Sequence, residues 1–249
     1  MVHFVGAGPG AADLITVRGR NLLEKADIII YAGSLVNKEL LCCARKDCEI
    51  YDSSGMTLEE VLGVIAENAD KETVRLHTGD PSIYGAIREQ IDALDRLGIK
   101  YDVCPGVSSM FGASAAIGAE YTLPGVSQSV IITRMAGRTP VPERESIELL
   151  SSHGASMVIF LSAGMLEELS ARLISGGYRK DSPAAIVYKA TWDDEKTVMT
   201  TVGDLAADAA EHGINRTALV LVGDFLGRDY ERSKLYDPGF SHGYRREQK

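Results

Sequence analysis

The sequence predicts an α/β protein of two domains, the first built on a mostly parallel sheet and the second on a sheet with antiparallel pairs. Three observations carry this. In the first half, short apolar runs alternate with amphipathic stretches, and such alternation implies parallel strands joined by right-handed crossovers. Three of the connections there are rich in glycine and proline: Gly6-Ala-Gly-Pro-Gly10, Gly79-Asp-Pro-Ser-Ile-Tyr-Gly85 and Pro105-Gly-Val-Ser-Ser109. Each follows an apolar run, so each falls at the carboxyl end of a strand, where open α/β sheets bind ligands. In the second half, the runs at 184–189 and 196–201 follow one another with no helix between them, which parallel strands do not allow.

In chain order, an apolar strand over 2–5 runs into the first glycine loop and then a helix over 14–25. Strand, glycine loop, helix is a nucleotide-binding order. The spacing, however, is GxGxG, and Pro9 lacks the N–H that a phosphate cradle would use. No acidic residue ends the next strand, 27–31, to hold a ribose hydroxyl, so a dinucleotide site fits poorly. For this loop alone, a tight turn and a ligand loop both stay open. A helix over 35–44, a strand over 49–51 and a helix over 57–68 follow, the last with Thr57 and Glu60 spaced as a capping box.

The strand over 73–77 feeds the second loop, and a helix over 86–97 follows it. Gly79 and Gly85 permit positive φ or close backbone approach. Asp80 suits a helix cap or a ligand hydrogen bond, and Pro81 suits the first helical position. Taken alone, this stretch is a capped helix start; set beside the other two loops on one sheet edge, it becomes a ligand loop. A strand over 100–103 and a small-residue helix to about 119 complete the first domain, 1–119.

Residues 120–128 are irregular, and the second domain, 120–249, begins there. It is predicted to contain strands over 130–134, 157–161, 184–189, 196–201 and 218–222, and helices over 143–152, 163–175 and 202–211. The loops at 135–142 and 190–195 lie between them. A polar and aromatic tail follows Leu226. No internal repeat is visible.

Composition bounds the function. Apolar residues make up 45% and charged residues 24% of 249, an ordinary globular balance. The net charge of −9 argues against nucleic acid as partner but leaves room for an anionic small molecule held by a local basic lining. No apolar run approaches the ~20 residues of a membrane helix, and the start is strand-like rather than a signal peptide. A cytoplasmic protein with no membrane partner is expected. Cys42, Cys43, Cys48 and Cys104 include no C-x-x-C pair, and neither His77 nor His153 has paired ligands, so no metal site is expected.

With these residues in place, the chain resembles the tetrapyrrole methylases over about residues 2–227. The resemblance rests on the Gly6–Gly10 loop with Leu14-Ile-Thr16, Ala26-Asp27 with Tyr31, Gly79-Asp80-Pro81, Pro105-Gly106-Val107-Ser108 and Pro183-Ala184-Ala185. Further stretches narrow it: Ser34-Leu-Val36, Ile83-Tyr84-Gly85-Ala86 with Glu89-Gln90, Glu120-Tyr-Thr-Leu-Pro124, Ser127-Gln128 with Thr133-Arg134, Gly137-Arg-Thr-Pro140 and Ala190-Thr-Trp192 with Asp194-Glu195. The resemblance implies a homodimer of two-domain chains with S-adenosylmethionine (SAM) in a cleft between the domains. It implies methylation of a corrin precursor, at C-11 of precorrin-4 or its cobalt complex, in cobalamin biosynthesis. The implied SAM contacts are Pro9, Gly79, Asp80, Ile83, Ser108, Ser109, Leu161, Ser162 and Ala190. Many relatives carry Asp directly after the first loop; here Ala11 stands there, and a base at that position does not carry over. Asp13, two residues on, suits the helix dipole instead.

A sulfonium donor is already activated, so the protein is expected to align donor and carbon and exclude water. Asp80 and Tyr84 are expected to position rather than to transfer protons, and no general base is assigned. For a substrate fringed with carboxylates, Arg134 and Arg138 are the leading cations because they flank a loop at a strand end; Arg18 and Lys189 are further candidates. Tyr84, Tyr121, Met135 and Met165 could line the macrocycle, with core packing as the competing role. A different precorrin position and a nicotinamide-dependent oxidoreductase are the alternative activities, the second disfavoured by the missing GxGxxG.

Overall fold

The chain is described here over residues 1–246 by a computed structural model. Its internal contacts divide it into two units: Met1–Gly112 with Ala190–Asp194, and Ala113–Lys189 with the chain from Glu195 onward.

In the first unit, five strands form one sheet: β1 (Val2–Gly6), β2 (Ile28–Tyr31), β3 (Glu49–Asp52), β4 (Thr73–His77) and β5 (Tyr101–Cys104). Every pairing is parallel and the order is β3-β2-β4-β1-β5. Helices α1 (Val17–Lys25), α2 (Leu58–Glu67) and α3 (Arg88–Leu97) cover it. Val5, Ile29 and Leu76 join Leu23 and Ala26 in one core, while Phe4, Ile28 and Ile30 join Val61, Ile65 and Leu94 in another. Burial on both faces explains why β2, Ile-Ile-Ile-Tyr, reads as a continuous apolar run rather than an alternating one.

The second unit holds β6 (Val130–Arg134), β7 (Ser156–Phe160), β8 (Pro183–Tyr188), β9 (Lys196–Thr201) and β10 (Ala218–Val222), in the order β6-β7-β10-β8-β9. Only β6 and β7 pair in parallel; the rest are antiparallel, with β8 and β9 forming the expected pair. Between α4 (Ser109–Ala116) and the last strand come α5 (Ile147–Ser151), α6 (Leu166–Ser175) and α7 (Leu205–Glu211). Met157, Ile159, Leu169, Leu173 and Val220 centre this unit's core.

Several helices start later than the sequence predicts, each for a local reason. The helix expected from residue 14 begins at Val17, because Thr16 caps it by accepting from the Gly19 N–H at 3.0 Å, and Ala12–Leu14 forms a separate 3₁₀ turn. The stretch expected to be helical over 35–44 is two 3₁₀ turns, Gly33–Leu35 and Lys38–Cys43. Asn37, whose side chain caps the second turn, interrupts it. Ser146 likewise caps α5 inside the stretch predicted over 143–152.

Candidate active site at the carboxyl edge of the first sheet

The strand order places β4 and β5 on either side of β1. The loops leaving these three strands are therefore neighbours. The chain leaves β1 toward β2 on one flank, and leaves β4 toward β5 on the other, which makes this edge a topological switch point. Backbone hydrogen bonds stitch the loops together. The Ala7 N–H donates to the His77 carbonyl at 2.7 Å, and Gly8 and Gly79 exchange bonds of 3.2 and 2.9 Å. Glycine is required for this approach. A Cβ on Gly6 would lie 2.5 Å from Gly106 Cα, and one on Gly106 would lie 2.1 Å from the Gly79 carbonyl oxygen.

Asp80 locks the second and third loops together. One carboxylate oxygen accepts from the Gly106 N–H at 2.8 Å; the other accepts from the Ser82 N–H at 2.8 Å and from the Ser82 hydroxyl. Partial burial works to raise its pKa, but the bonds from Ser82 and Gly106 outweigh it and hold the carboxyl below its ordinary value. The helix-cap role is corrected. α3 starts at Arg88, and Pro81–Tyr84 is a turn that Asp80 caps instead. Tyr84 and Ala86 carry φ of 54° and 50°, which no α-helix accommodates. Gly85 between them folds back so tightly that a Cβ would lie 2.1 Å from the Pro81 carbonyl oxygen. Tyr84 remains 47% exposed.

The first loop is also held from the other side. Pro9 lies under Gly112 of α4, where an added Cβ would meet Pro9 Cβ at 2.8 Å and Ala190 Cβ at 3.4 Å. Asn37 Nδ2 donates to the Gly10 carbonyl at 3.0 Å, and the Ala11 N–H donates to Thr191 Oγ1 at 3.0 Å. Trp192 packs so closely on Gly10 that a Cβ there would stand 2.3 Å from its ring. A cavity of about 570 Å³ opens beside these residues, with Asp13, Glu39, Asp193 and Asp194 on its wall. The expected donor contacts Pro9, Gly79, Asp80, Ile83, Ser108, Ser109 and Ala190 thus all belong to this unit. The sequence assigns no role to Asn37, Thr191 or Trp192; the signs it offers are the Ala190-Thr-Trp192 stretch and the chain's single tryptophan in a polar loop.

In the second unit, Leu161 follows β7 at φ 53° and is 66% exposed. Ser162 is buried; its hydroxyl accepts from the Met135 N–H at 3.0 Å and donates to the Phe160 carbonyl at 2.7 Å. Arg134 donates to the carbonyls of Met135, Thr139 and Pro140 at 3.1, 3.2 and 2.8 Å. It holds its own loop rather than facing outward, while Arg138 at the tip of that loop is exposed. Tyr121 is corrected from substrate contact to core residue. It is 7% exposed, its ring centroid lies 5.2 Å from that of Phe225, and burial pushes its hydroxyl up to about 12. Met135 is also core. Among the described residues, no group of three or more His, Cys, Asp or Glu is placed to hold a metal, and no helix is long and apolar enough to cross a membrane.

The profile of the Tetrapyrrole (Corrin/Porphyrin) Methylases matches residues 1–206. The chain is 53% identical to a cobalt-precorrin-4 C(11)-methyltransferase of Methanocaldococcus jannaschii, over 100% of this chain and 97% of that protein. It is 44% identical to a precorrin-4 C(11)-methyltransferase of a Sinorhizobium species, over 98% of each. The X-ray structure of CbiF, a cobalt precorrin-4 methyltransferase of cobalamin biosynthesis, superposes with a TM-score of 0.89 at 44% identity, covering 91% of this chain and 96% of that one. The fold, the stitched glycine loops and these similarities together show that the chain belongs to the tetrapyrrole (corrin/porphyrin) methylases.

Proposed function

We propose that this chain transfers a methyl group from SAM to C-11 of precorrin-4 or of its cobalt complex. The observation that carries the proposal is the sheet edge itself: two loops joined by main-chain hydrogen bonds and a third tied to them by the Asp80 carboxylate, in a chain similar along its whole length to enzymes of that name. The donor chemistry fits. Residues 6–10, 79–83 and 105–109 contain no lysine or arginine, so nothing in them repels a sulfonium. When bound, SAM supplies a methyl group that is already electrophilic. Pro9, Gly79, Asp80, Ile83, Ser108, Ser109 and Ala190 then bind and orient it, mainly through backbone groups. Leu161 and Ser162 are assigned to the donor by resemblance. Asp80, with both oxygens already accepting protein hydrogen bonds, orients the loop and is not a proton-transfer base.

The carboxylates on the wall of the 570 Å³ cavity disfavour the substrate's own carboxylates there. We assign those to cations elsewhere, first Arg138, which Arg134 presents by ordering residues 135–140. The same proposal includes a homodimer acting in the cytoplasm, which sedimentation and fractionation would test. The decisive assay offers methyl-labelled SAM with precorrin-4 and, separately, cobalt-precorrin-4. Label at C-11 of either product is the expected result. Binding of S-adenosylhomocysteine (SAH) with no transfer to either substrate would overturn the assignment of substrate.

A further inference from the structure

The mechanism leaves a set of buried polar side chains in the first unit unused. Arg75, in the middle of β4, is 7% exposed, and Gln90 of α3 is 5% exposed. Arg75 Nε donates to Gln90 Oε1 at 3.2 Å, and its Nη1 donates to the Ile30 carbonyl at 3.0 Å. Both partners are neutral. Gln90 Nε2 in turn donates to the Ala86 carbonyl at 3.0 Å. Ala86 closes the loop in which Tyr84 and Ala86 have positive φ and Gly85 lies against Pro81. A buried cation therefore holds an amide, and the amide holds the strained end of the loop that begins at Asp80.

The residue types fit that task. An amide both accepts from a guanidinium and donates to a carbonyl; Glu would accept but not donate, and Leu would do neither. A buried guanidinium without a carboxylate opposes folding, and an apolar residue would suit a core strand better. Stability therefore does not explain the pair. Left-handed backbone at two non-glycine residues persists only where surrounding structure imposes it. The methyl transfer as proposed gives Gln90 no role.

We infer that Arg75 and Gln90 are positioning residues that fix the Ala86 carbonyl and so hold the Asp80–Ala86 loop in the shape that takes the methyl donor. The inference rests on the proposed function for its ligand and on geometry alone for the pinning. The test uses the full chain with two variants, Gln90→Glu and the double variant Arg75→Met/Gln90→Leu. SAH affinity is read by calorimetry, amide exchange at residues 84–87 by mass spectrometry, and the melting midpoint alongside. Gln90→Glu keeps the bond from Arg75 and loses the donor to Ala86. The expected result is a midpoint at or above that of wild type, faster exchange at 84–87, and SAH affinity reduced roughly tenfold, as for one lost hydrogen bond. The double variant removes the buried charge with its partner, so its midpoint is expected to hold while affinity falls. At saturating SAM, kcat should drop less than the KM for SAM rises. Wild-type affinity and exchange in both variants would overturn the inference, and so would affinity falling only in step with the midpoint. Faster exchange in the variants of a wild-type protein that binds no SAH would uphold the pinning and overturn the proposed function instead.

Discussion

At Gly106 a single methyl group decides whether the site can form. Its Cβ would lie 2.1 Å from the Gly79 carbonyl oxygen, and backbone on both sides leaves no flexible atom to yield. Gly106→Ala is expected to cost about 3 kcal/mol or more, seen as a lower urea midpoint. Asp80 gives a pH signature. Its folded pKa lies below the ordinary 3.8, so its stabilisation is complete above that value and is lost as pH falls through the lower, folded one. Asp80→Asn sets an amide N–H against one of those donors; we expect it to lower stability at neutral pH by about 1–3 kcal/mol and to flatten the acid limb of the unfolding curve. His77 acts at milder pH. Burial, and then the nearby Arg75, drive its pKa from 6.5 to about 3. The unfolded chain binds a proton in that interval and the folded one does not, so stability falls as pH drops below 6.5, approaching about 1.4 kcal/mol per pH unit. His77→Phe should lack this slope between urea midpoints taken at neutral and mildly acid pH. Asp80 could be picked out in the sequence as the acid of its loop. Its acceptance of the Gly106 N–H could not, because residues 26 apart in sequence meet only through the strand order.

The elements were most legible where their signals are local. Thr57 and Glu60 form the capping box that their spacing indicates: the Thr57 N–H donates to Glu60 Oε2 at 2.7 Å and the Glu60 N–H to Thr57 Oγ1 at 3.2 Å. Thr57→Ala should cost about 1 kcal/mol in thermal or urea unfolding and leave methyl transfer unchanged, since α2 follows β3, an edge strand that pairs with β2 and with none of the three strands that carry the loops. Strands lie within a residue of where the sequence places them; β4, β6, β9 and β10 lie where expected. Helix starts were less legible. α3, α6 and α7 each begin two or three residues late, and in α3 the cause is backbone at positive φ in Tyr84 and Ala86, which periodicity does not reveal. Lys38–Cys43 has helical composition, yet the Asn37 side chain closes a 3₁₀ turn on it.

Over the whole molecule, composition and alternation indicated a parallel sheet followed by a mixed one, and the pairings agree. The insertion of β4 between β2 and β1 was not legible, because alternation fixes strand direction without fixing strand order. That insertion is what makes the three loops neighbours. The net charge of −9 means that any attraction for a carboxylate-fringed substrate is local. Raising ionic strength well above physiological is expected to increase the substrate KM several-fold by screening, with SAH affinity little changed. Arg138→Ala should raise the same KM and reduce its salt dependence, both read from initial rates.

The bond from the Ala11 N–H to Thr191 Oγ1 also sets the order of events on the ribosome. Residues 190–194 belong to the first unit, so that unit lacks one wall of its cavity until they have been synthesised. At ~5–20 residues per second, the interval between finishing Gly112 and reaching Asp194 is roughly 4–16 s. For that time the glycine loop has its sheet but not Trp192, and the nascent chain presents Gly10 uncovered. Maturation of the pocket is thus a post-scaffold step paced by translation, and a nascent chain stalled before residue 190 should hold a paired sheet with an unfinished site.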